Sequence, residues 1–143
     1  MTDSDSTILS SNLFFLSSAL SRKLSAEADK QFSEFGLSNS HALLLLLIDE
    51  HPNIQPSQLA EKLILKPSTI TRLVNKLERR KLVEKTSEGR SSHIVCTSKG
   101  SELIDKLNQR WGALMKVKKQ ELGERYVSVL SEMMQQALQS IDA

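Results

Sequence analysis

Hydrogen-bonding and basic side chains are concentrated in the short stretch between residues 66 and 76. Arg72 carries a planar guanidinium that can donate two parallel hydrogen bonds, and the Asn75 amide can both donate and accept. The stretch contains no histidine, cysteine or carboxylate that could serve as a base or a metal ligand. Its chemistry is therefore hydrogen bonding and charge pairing with an anionic, acceptor-rich surface.

The basic charge of the chain is confined to its middle. The whole sequence has a net charge of only +2. Residues 62–99 contain ten basic and three acidic side chains, a net charge of +7, whereas the remainder contains nine basic and fourteen acidic side chains. A local excess of this kind is typical of a site for a polyanion, and it is also what a solvated helix face carries. Charge alone leaves both interpretations open.

The polar side chains of residues 66–76 belong to the second of two short predicted helices. Proline suits the first turn of a helix, so the helices are predicted over residues 56–63 and 67–80. In the second helix, apolar residues recur at i, i+3, i+4 and i+7, which predicts one buried face. The opposite face then presents Ser68, Thr69, Thr71, Arg72, Asn75 and Lys76.

A β-hairpin is predicted directly after these two helices. Segments 82–86 and 92–97 are rich in β-forming residues, and the polar link over residues 87–91 contains Gly89, which marks the tip. Arg90 is therefore expected at the tip.

The helices are preceded by another predicted helix that begins after the N-cap residue Ser38 and ends at Glu50. Its residues 42–48 are apolar all round, which predicts a position at the centre of the core.

Long helices are predicted at both ends of the chain. Leucines spaced by three or four residues between Leu9 and Leu24 predict a helix over residues 7–35, ending at Gly36. The near-heptad spacing suits packing against another helix. Two further helices, separated at Gly123, are predicted over residues 101–141. The expected fold is mainly α with a small β-hairpin wing, in the α+β class.

Several classes of protein and site are not expected. A single cysteine, Cys96, excludes an internal disulfide and a multi-cysteine zinc site, and it is expected to be a buried, inert thiol. No nucleophile elbow, phosphate loop or paired acidic cluster is present, so neither an enzyme nor a cofactor is predicted. The three histidines, His41, His51 and His93, lack ligand spacing, so no metal site is predicted.

The sequence also predicts a cytoplasmic protein without a membrane partner. The N-terminus carries Asp3 and Asp5 and no basic residue, unlike a signal peptide. The longest apolar run, residues 42–48, is far shorter than the roughly 20 residues of a membrane span.

Four short motifs occur in a fixed order between residues 37 and 100: Gln58-Leu59-Ala60, the block Pro-Ser-Thr-Ile-Thr-Arg-Leu-Val-Asn-Lys-Leu-Glu over residues 67–78, Leu-Val-Glu-Lys over residues 82–85, and Thr97-Ser98-Lys99-Gly100. In this set the sequence resembles the MarR family (multiple antibiotic resistance regulators). The block over residues 67–78 is the specific part. The long flanking helices also fit, so the resemblance covers nearly the whole chain.

The resemblance implies a winged helix-turn-helix with long N- and C-terminal dimerisation helices. Residues 1–143 would form a single domain, with a DNA-binding lobe over 38–100 and dimerisation helices over 7–35 and 101–141. The implied function is a sequence-specific double-stranded DNA-binding regulator, acting as a homodimeric repressor on a pseudo-palindromic operator and responding to a small aromatic or phenolic ligand. The alternative is a dimeric protein-interaction adaptor or anti-repressor that keeps the fold without operator binding.

The residues expected to contact DNA lie on the second helix, at its start and at the hairpin tip. The major groove admits one α-helix, so Arg72 can pair with guanine and Asn75 with adenine or a phosphate. Arg90 is placed to enter a neighbouring minor groove. The full expected set is Lys66, Pro67, Ser68, Thr69, Thr71, Arg72, Asn75, Lys76 and Arg90.

Three positions depart from the pattern of the family that the sequence resembles. The usual Asp-x-Arg of the wing is Glu88-Gly89-Arg90, which keeps the arginine. A glycine usual before the first wing strand is replaced by Lys81, and a leucine usual before Thr-x-x-Gly is replaced by Cys96.

Overall fold

The computed structural model of the chain describes residues 7–142, and the acidic start with Asp3 and Asp5 lies outside them. The chain forms two compact units, Met1–Leu107 and Asn108–Ala143. The N-terminal unit contains a two-stranded antiparallel hairpin among helices.

In chain order the elements are α1 (Thr7–Ser11), α2 (Leu13–Phe32), a 3-10 turn (Ser33–Phe35), α3 (Asn39–Glu50), α4 (Pro56–Leu63), α5 (Pro67–Arg79), β1 (Val83–Glu88), β2 (Ser91–Cys96), α6 (Ser98–Leu122) and α7 (Glu124–Ser140). The predicted fold class, mainly α with a hairpin wing, is confirmed.

The N-terminal region is not the single helix predicted over residues 7–35. Asn12 has an extended backbone, and its side-chain oxygen accepts a hydrogen bond from the Phe15 N–H at 2.9 Å. The short amide side chain thus caps a new helix instead of continuing the old one. At the other end, α2 tightens into the 3-10 turn before Gly36, whose φ of 68° is left-handed as expected of a helix end.

The core of the N-terminal unit surrounds α3, which packs against α2, α5 and β2. Leu44, Leu45 and Ile48 are fully buried, and each such side chain contributes about 1.5–3 kcal/mol through its removal from water. The predicted position of α3 at the centre of the core is confirmed, although Leu43 remains 41% exposed. The packed elements therefore cover most of the helix and leave Leu43 at its exposed edge.

The hairpin has a shorter turn than predicted, and its first strand extends two residues further. Glu88 pairs with Ser91, which leaves Gly89 and Arg90 as a two-residue turn in place of the five-residue link. Gly89 has a φ of 61° at the first turn position, where a type II′ turn requires glycine. Arg90 is therefore at the tip, as predicted, and its side chain is exposed.

The backbone conformation after α5 shows why a glycine is usual at the position that Lys81 occupies in this chain. Lys81 has a left-handed φ of 62°, while its N–H donates to Glu78 O and the Leu82 N–H donates to Leu77 O, both at 2.9 Å. This pair of hydrogen bonds is a Schellman motif, whose left-handed residue is usually glycine. Lys81 thus occupies a position that favours glycine for a backbone reason.

The end of α4 has the same geometry with a less suitable residue. Ile64 has a φ of 55°, and the next residue, Leu65, donates its N–H to Ala60 O at 3.0 Å. A left-handed conformation crowds a β-branched side chain more than any other. The tight turn between α4 and α5 is therefore strained at Ile64.

Glycine at either strained position should stabilise the fold. A left-handed L-residue costs about 1–2 kcal/mol, and the extra freedom of glycine in the unfolded chain offsets about 0.5–1 kcal/mol of the gain. Ile64→Gly and Lys81→Gly should each raise the free energy of unfolding by about 0.5–1 kcal/mol, measured by urea denaturation at one protein concentration. The control Glu61→Gly, within α4, should lower it by about 1 kcal/mol. A lower free energy of unfolding in all three variants would show that the turns at Ile64 and Lys81 are not strained.

Hydrogen bonds from Thr97 join the start of α6 to Lys81 and Leu82, which precede β1 at the root of the hairpin. The Thr97 hydroxyl donates to Lys81 O at 2.6 Å and accepts from the Gly100 N–H at 3.1 Å, and the Thr97 N–H donates to Leu82 O at 3.0 Å. A Cβ on Gly100 would overlap the same Leu82 carbonyl oxygen. The spacing Thr-x-x-Gly therefore has a structural reason. The threonine forms the hydrogen bonds to Lys81 and Leu82, and the glycine, which lacks a Cβ, allows the Leu82 carbonyl group to approach the helix.

Candidate nucleic-acid interface

The predicted DNA-contacting residues of α5 lie opposite its buried face. Ile70, Leu73, Val74 and Leu77 are buried, as predicted from the period of the helix. Ser68, Thr71 and Arg72 are exposed, whereas Thr69, Asn75 and Lys76 are half-buried. The structure thus brings the α5 members of the set together on one surface. Arg90 belongs to a second surface, the hairpin tip.

The first turn of α5 is available to an anion. Lys66 is the extended N-cap residue, Pro67 is the first helical residue, and no side chain caps this end. By contrast, Asn12 caps α2 and Ser38 caps α3. An uncapped helix start presents backbone N–H groups and the positive end of the helix dipole. Together with Lys66, this end of α5 has the chemistry of a phosphate site.

The hydroxyl of Thr71 is already engaged within the helix. It donates to Pro67 O at 3.0 Å, so its proton does not point toward an outside acceptor. At the surface, Thr71 presents the lone pairs of its hydroxyl oxygen and its methyl group. The methyl group is suited to apolar contact with the methyl group of thymine.

Arg80, at the C-terminal end of α5, is engaged in hydrogen bonds within the protein. Its Nη1 donates to Gly36 O at 2.9 Å, and the Lys99 ammonium donates to Arg80 O at 3.1 Å. These bonds tie the C-terminal end of α5 to the turn before α3 and to the first turn of α6. Arg80 is thus a positioning residue for α5. No sequence signal indicated this, because Gly36 and Arg80 are 44 residues apart.

His41 lies at the start of α3 and forms a reciprocal cap with Ser38. The Ser38 N–H donates to His41 Nδ1 at 3.4 Å, and the Ser38 hydroxyl accepts from the His41 N–H at 3.3 Å. Burial lowers the pKa of His41, the nearby cations Lys76 and Arg80 lower it further, and Asp29 opposes them. The ring is therefore kept neutral, which is the form whose Nδ1 can accept the Ser38 bond.

The lowered pKa of His41 predicts a loss of stability in acid. The unfolded chain takes up a proton below pH about 6.5, whereas the folded chain takes it up only at a lower pH. The stabilisation is therefore complete above pH about 6.5 and declines as the pH falls below that value. The variant His41→Gln keeps an acceptor in the capping box but cannot titrate. Between pH 7.5 and 5.5 it should lose less unfolding free energy than the wild type in urea titrations. An equal loss in both proteins would contradict the role of His41.

The single cysteine and the potential metal ligands are the remaining candidate groups. Burial and, to a smaller extent, the carboxylate of Asp49 together raise the pKa of the Cys96 thiol to about 11. The half-buried thiol contacts Leu45 O at 3.8 Å and is protonated at neutral pH, in agreement with an inert cysteine.

Within residues 7–142, no three His, Cys, Asp or Glu side chains are grouped so as to hold a metal ion. No helix in the same part of the chain is long and apolar enough to cross a membrane.

Comparison with known sequences finds a family match over the middle of the chain. Residues 35–91, which include α3, α4, α5 and most of the hairpin, match the model of the MarR family. The HTH-type transcriptional repressor MdtR of Bacillus subtilis is 24% identical over 114 residues, which cover 80% of this chain and 70% of that protein.

Comparison with solved structures extends the likeness to the flanking helices. CouR from Rhodococcus jostii RHA1, solved with p-coumaroyl-CoA, has a TM-score of 0.82 and 25% identity, covering 96% of this chain and 99% of that one. S. aureus MepR, solved with DNA, shares the fold with a TM-score of 0.80 at 18% identity, covering 91% of this chain and 98% of that one. The family match over residues 35–91, the related regulator and the winged-helix architecture together support a MarR family transcription regulator.

Proposed function

We propose that the chain is a homodimeric, sequence-specific repressor whose α5 enters the major groove of duplex DNA and whose wing contacts the adjacent minor groove. One observation carries the proposal: α5 is amphipathic, with an apolar face that is buried and a polar, basic face that begins at an uncapped helix start. A helix of this kind fits the width of the major groove. The proposed organisation is a single domain over 1–143 with a DNA-binding lobe over 38–100.

Each proposed contact follows from the exposure and chemistry of its side chain. Arg72, exposed in the middle of the polar face, is assigned to a guanine, and Asn75 to an adenine or a phosphate. Arg90 is assigned to the minor groove. The other members of the set are assigned to the DNA backbone or to base edges nearby; they are Lys66, Pro67, Ser68, Thr69, Thr71 and Lys76.

Exposed apolar side chains on the terminal helices support a homodimer. In the N-terminal unit Leu13 is 74% and Phe14 81% exposed, and in the C-terminal unit Met133, Leu138 and Ile141 are each at least 60% exposed. Large apolar groups in such number mark a surface that another chain covers. A second copy of the chain fits, because two-fold dimers place two recognition helices on half-sites about 10 bp apart. The helices over 7–35 and 101–141 are proposed to form this interface.

The relatives support repression and control by a small molecule. MdtR is a repressor, MepR carries this fold on DNA, and CouR carries it with an aromatic acyl thioester. For this chain we extend the proposal to a small aromatic or phenolic effector that releases DNA. The alternative, a protein-interaction adaptor without operator binding, is not favoured, because an adaptor has no need of the net charge of +7 over residues 62–99.

The test is fluorescence anisotropy of the full-length protein with duplexes from the region upstream of its own gene and with scrambled duplexes of equal length. We expect saturable binding, a preference of at least about a thousandfold over the scrambled duplex, and affinity that falls steeply as salt increases. Equal, weak binding to both duplexes, followed by failure to select any bound fragment from genomic DNA, would overturn the proposal.

A further inference from the structure

The hairpin is joined to the loop between α3 and α4 at two neighbouring residues of β2. At Ile94, the backbone N–H donates to Ile54 O at 2.9 Å, and the carbonyl oxygen accepts from the Asn53 N–H at 3.1 Å. At His93, the ring nitrogen Nδ1 lies 3.0 Å from Asn53 O. Because a carbonyl oxygen can only accept, this ring nitrogen carries a proton and donates it to the bond. Asn53 thus uses both of its backbone groups to hold β2.

Beyond His93 the hairpin projects away from the core. Ile94 is fully buried, whereas residues 91–93 are half-buried and residues 84–90 are exposed. In the part of the chain that the structure describes, the hydrogen bonds that tie the outer hairpin to another element end at His93. Arg90 lies three residues closer to the tip, which is about 10 Å along an extended chain. A rotation of about 10° at His93 would therefore move the tip by about 2 Å.

A displacement of this size is large compared with the tolerance of the contact assigned to Arg90. The minor groove is only about 6 Å wide, and hydrogen bonds weaken once donor and acceptor separate beyond about 3.2 Å. The direction that the hairpin takes at His93 therefore decides whether Arg90 reaches the groove.

We propose that His93 is a positioning residue for the wing: its hydrogen bond to Asn53 O fixes the direction of the hairpin and so holds Arg90 in the minor groove. The inference rests on the DNA-binding function proposed above and adds a residue that acts through Arg90 without touching DNA. Successive side chains of a strand point to opposite faces. The side chain of Ile94 is buried on one face of β2, and the ring of His93 is bonded on the other, so the strand is held against twisting.

The test compares His93→Asn with His93→Leu. Asparagine keeps an N–H donor two bonds from Cβ, where histidine has Nδ1, whereas leucine has no donor. In the free full-length protein, 15N relaxation measures the order parameters of the Gly89 and Arg90 amides. We expect lower order parameters in His93→Leu and values like those of the wild type in His93→Asn. Operator affinity, measured by anisotropy, should fall by about 3-fold to 10-fold in the leucine variant, as is usual for coupled residues, and return in the asparagine variant.

A double-mutant cycle with Arg90→Ala shows whether His93 acts through Arg90. In the Arg90→Ala background, His93→Leu should change operator affinity by less than about 2-fold, because the side chain that it positions is absent. The control His51→Leu removes an exposed imidazole at the end of α3 and should change neither the order of the tip nor the affinity.

Two results would overturn the inference. Equal losses of affinity in both Arg90 backgrounds would show that the ring acts on the lobe as a whole, and unchanged order at the tip in His93→Leu would show that the ring does not hold the wing. Absence of specific operator binding by the wild type would instead overturn the function proposed above. The relaxation data would then still decide whether His93 fixes the hairpin.

Discussion

Arg72→Ala is expected to weaken binding to the operator by about 1–3 kcal/mol and to remove the preference for one base of each half-site. The side chain is exposed on the polar face of α5, where its guanidinium can donate two hydrogen bonds to guanine O6 and N7. Alanine keeps the helix but offers no donor. Anisotropy with the operator and with duplexes changed at one base pair each measures both the affinity and the base preference.

The matched control is Arg79→Ala, which removes the same charge from an exposed position in the last turn of α5. If Arg79 contacts a phosphate, its loss reduces the salt dependence by about one charge and weakens all duplexes alike. It should leave the base preference intact. If Arg72→Ala behaves in the same way as Arg79→Ala, then Arg72 binds the backbone and the assignment of base reading to it is wrong.

Gly100→Ala is expected to lower the free energy of unfolding by about 1–3 kcal/mol. The added Cβ would overlap the carbonyl oxygen of Leu82, and its carbonyl carbon would be only 3.0 Å away. Because these are backbone atoms, no side-chain rotation relieves the overlap. The start of α6 and the hairpin root must separate, which strains the bond from the Thr97 N–H to Leu82 O. Urea unfolding followed by circular dichroism, at a fixed protein concentration, measures the loss.

Gly112→Ala, further along the same helix, is the control for this prediction. A Cβ at Gly112 meets no atom within 4 Å, and alanine is the better helix former by about 0.8–1.0 kcal/mol. The two substitutions are chemically identical and should have opposite signs. A Gly100→Ala protein as stable as Gly112→Ala would show that α6 and the hairpin root have room to adjust, and that the glycine of Thr-x-x-Gly is not required for packing.

The elements that form the candidate site could be predicted from the sequence because their signals are local. A proline at the first position of α4 and of α5, and apolar residues at helical spacing, determined where both helices lie and which face of α5 is buried. The same period determined that Arg72 and Asn75 lie on the opposite face. That these side chains contact DNA stays a prediction, since it depends on a partner and not on the helix alone.

Features that join distant parts of the chain were decided only by the tertiary structure. The bond from Arg80 to Gly36 and the close approach of Gly100 to Leu82 have no local pattern, because they form only after the intervening helices have packed. Two element boundaries were instead set by local interactions that periodicity does not reveal: Asn12 interrupts the N-terminal helix with its own cap, and pairing of Glu88 with Ser91 shortens the turn. Sequence periodicity thus determined which face of α5 is exposed, and long-range hydrogen bonds and packing determined how that helix is held in place.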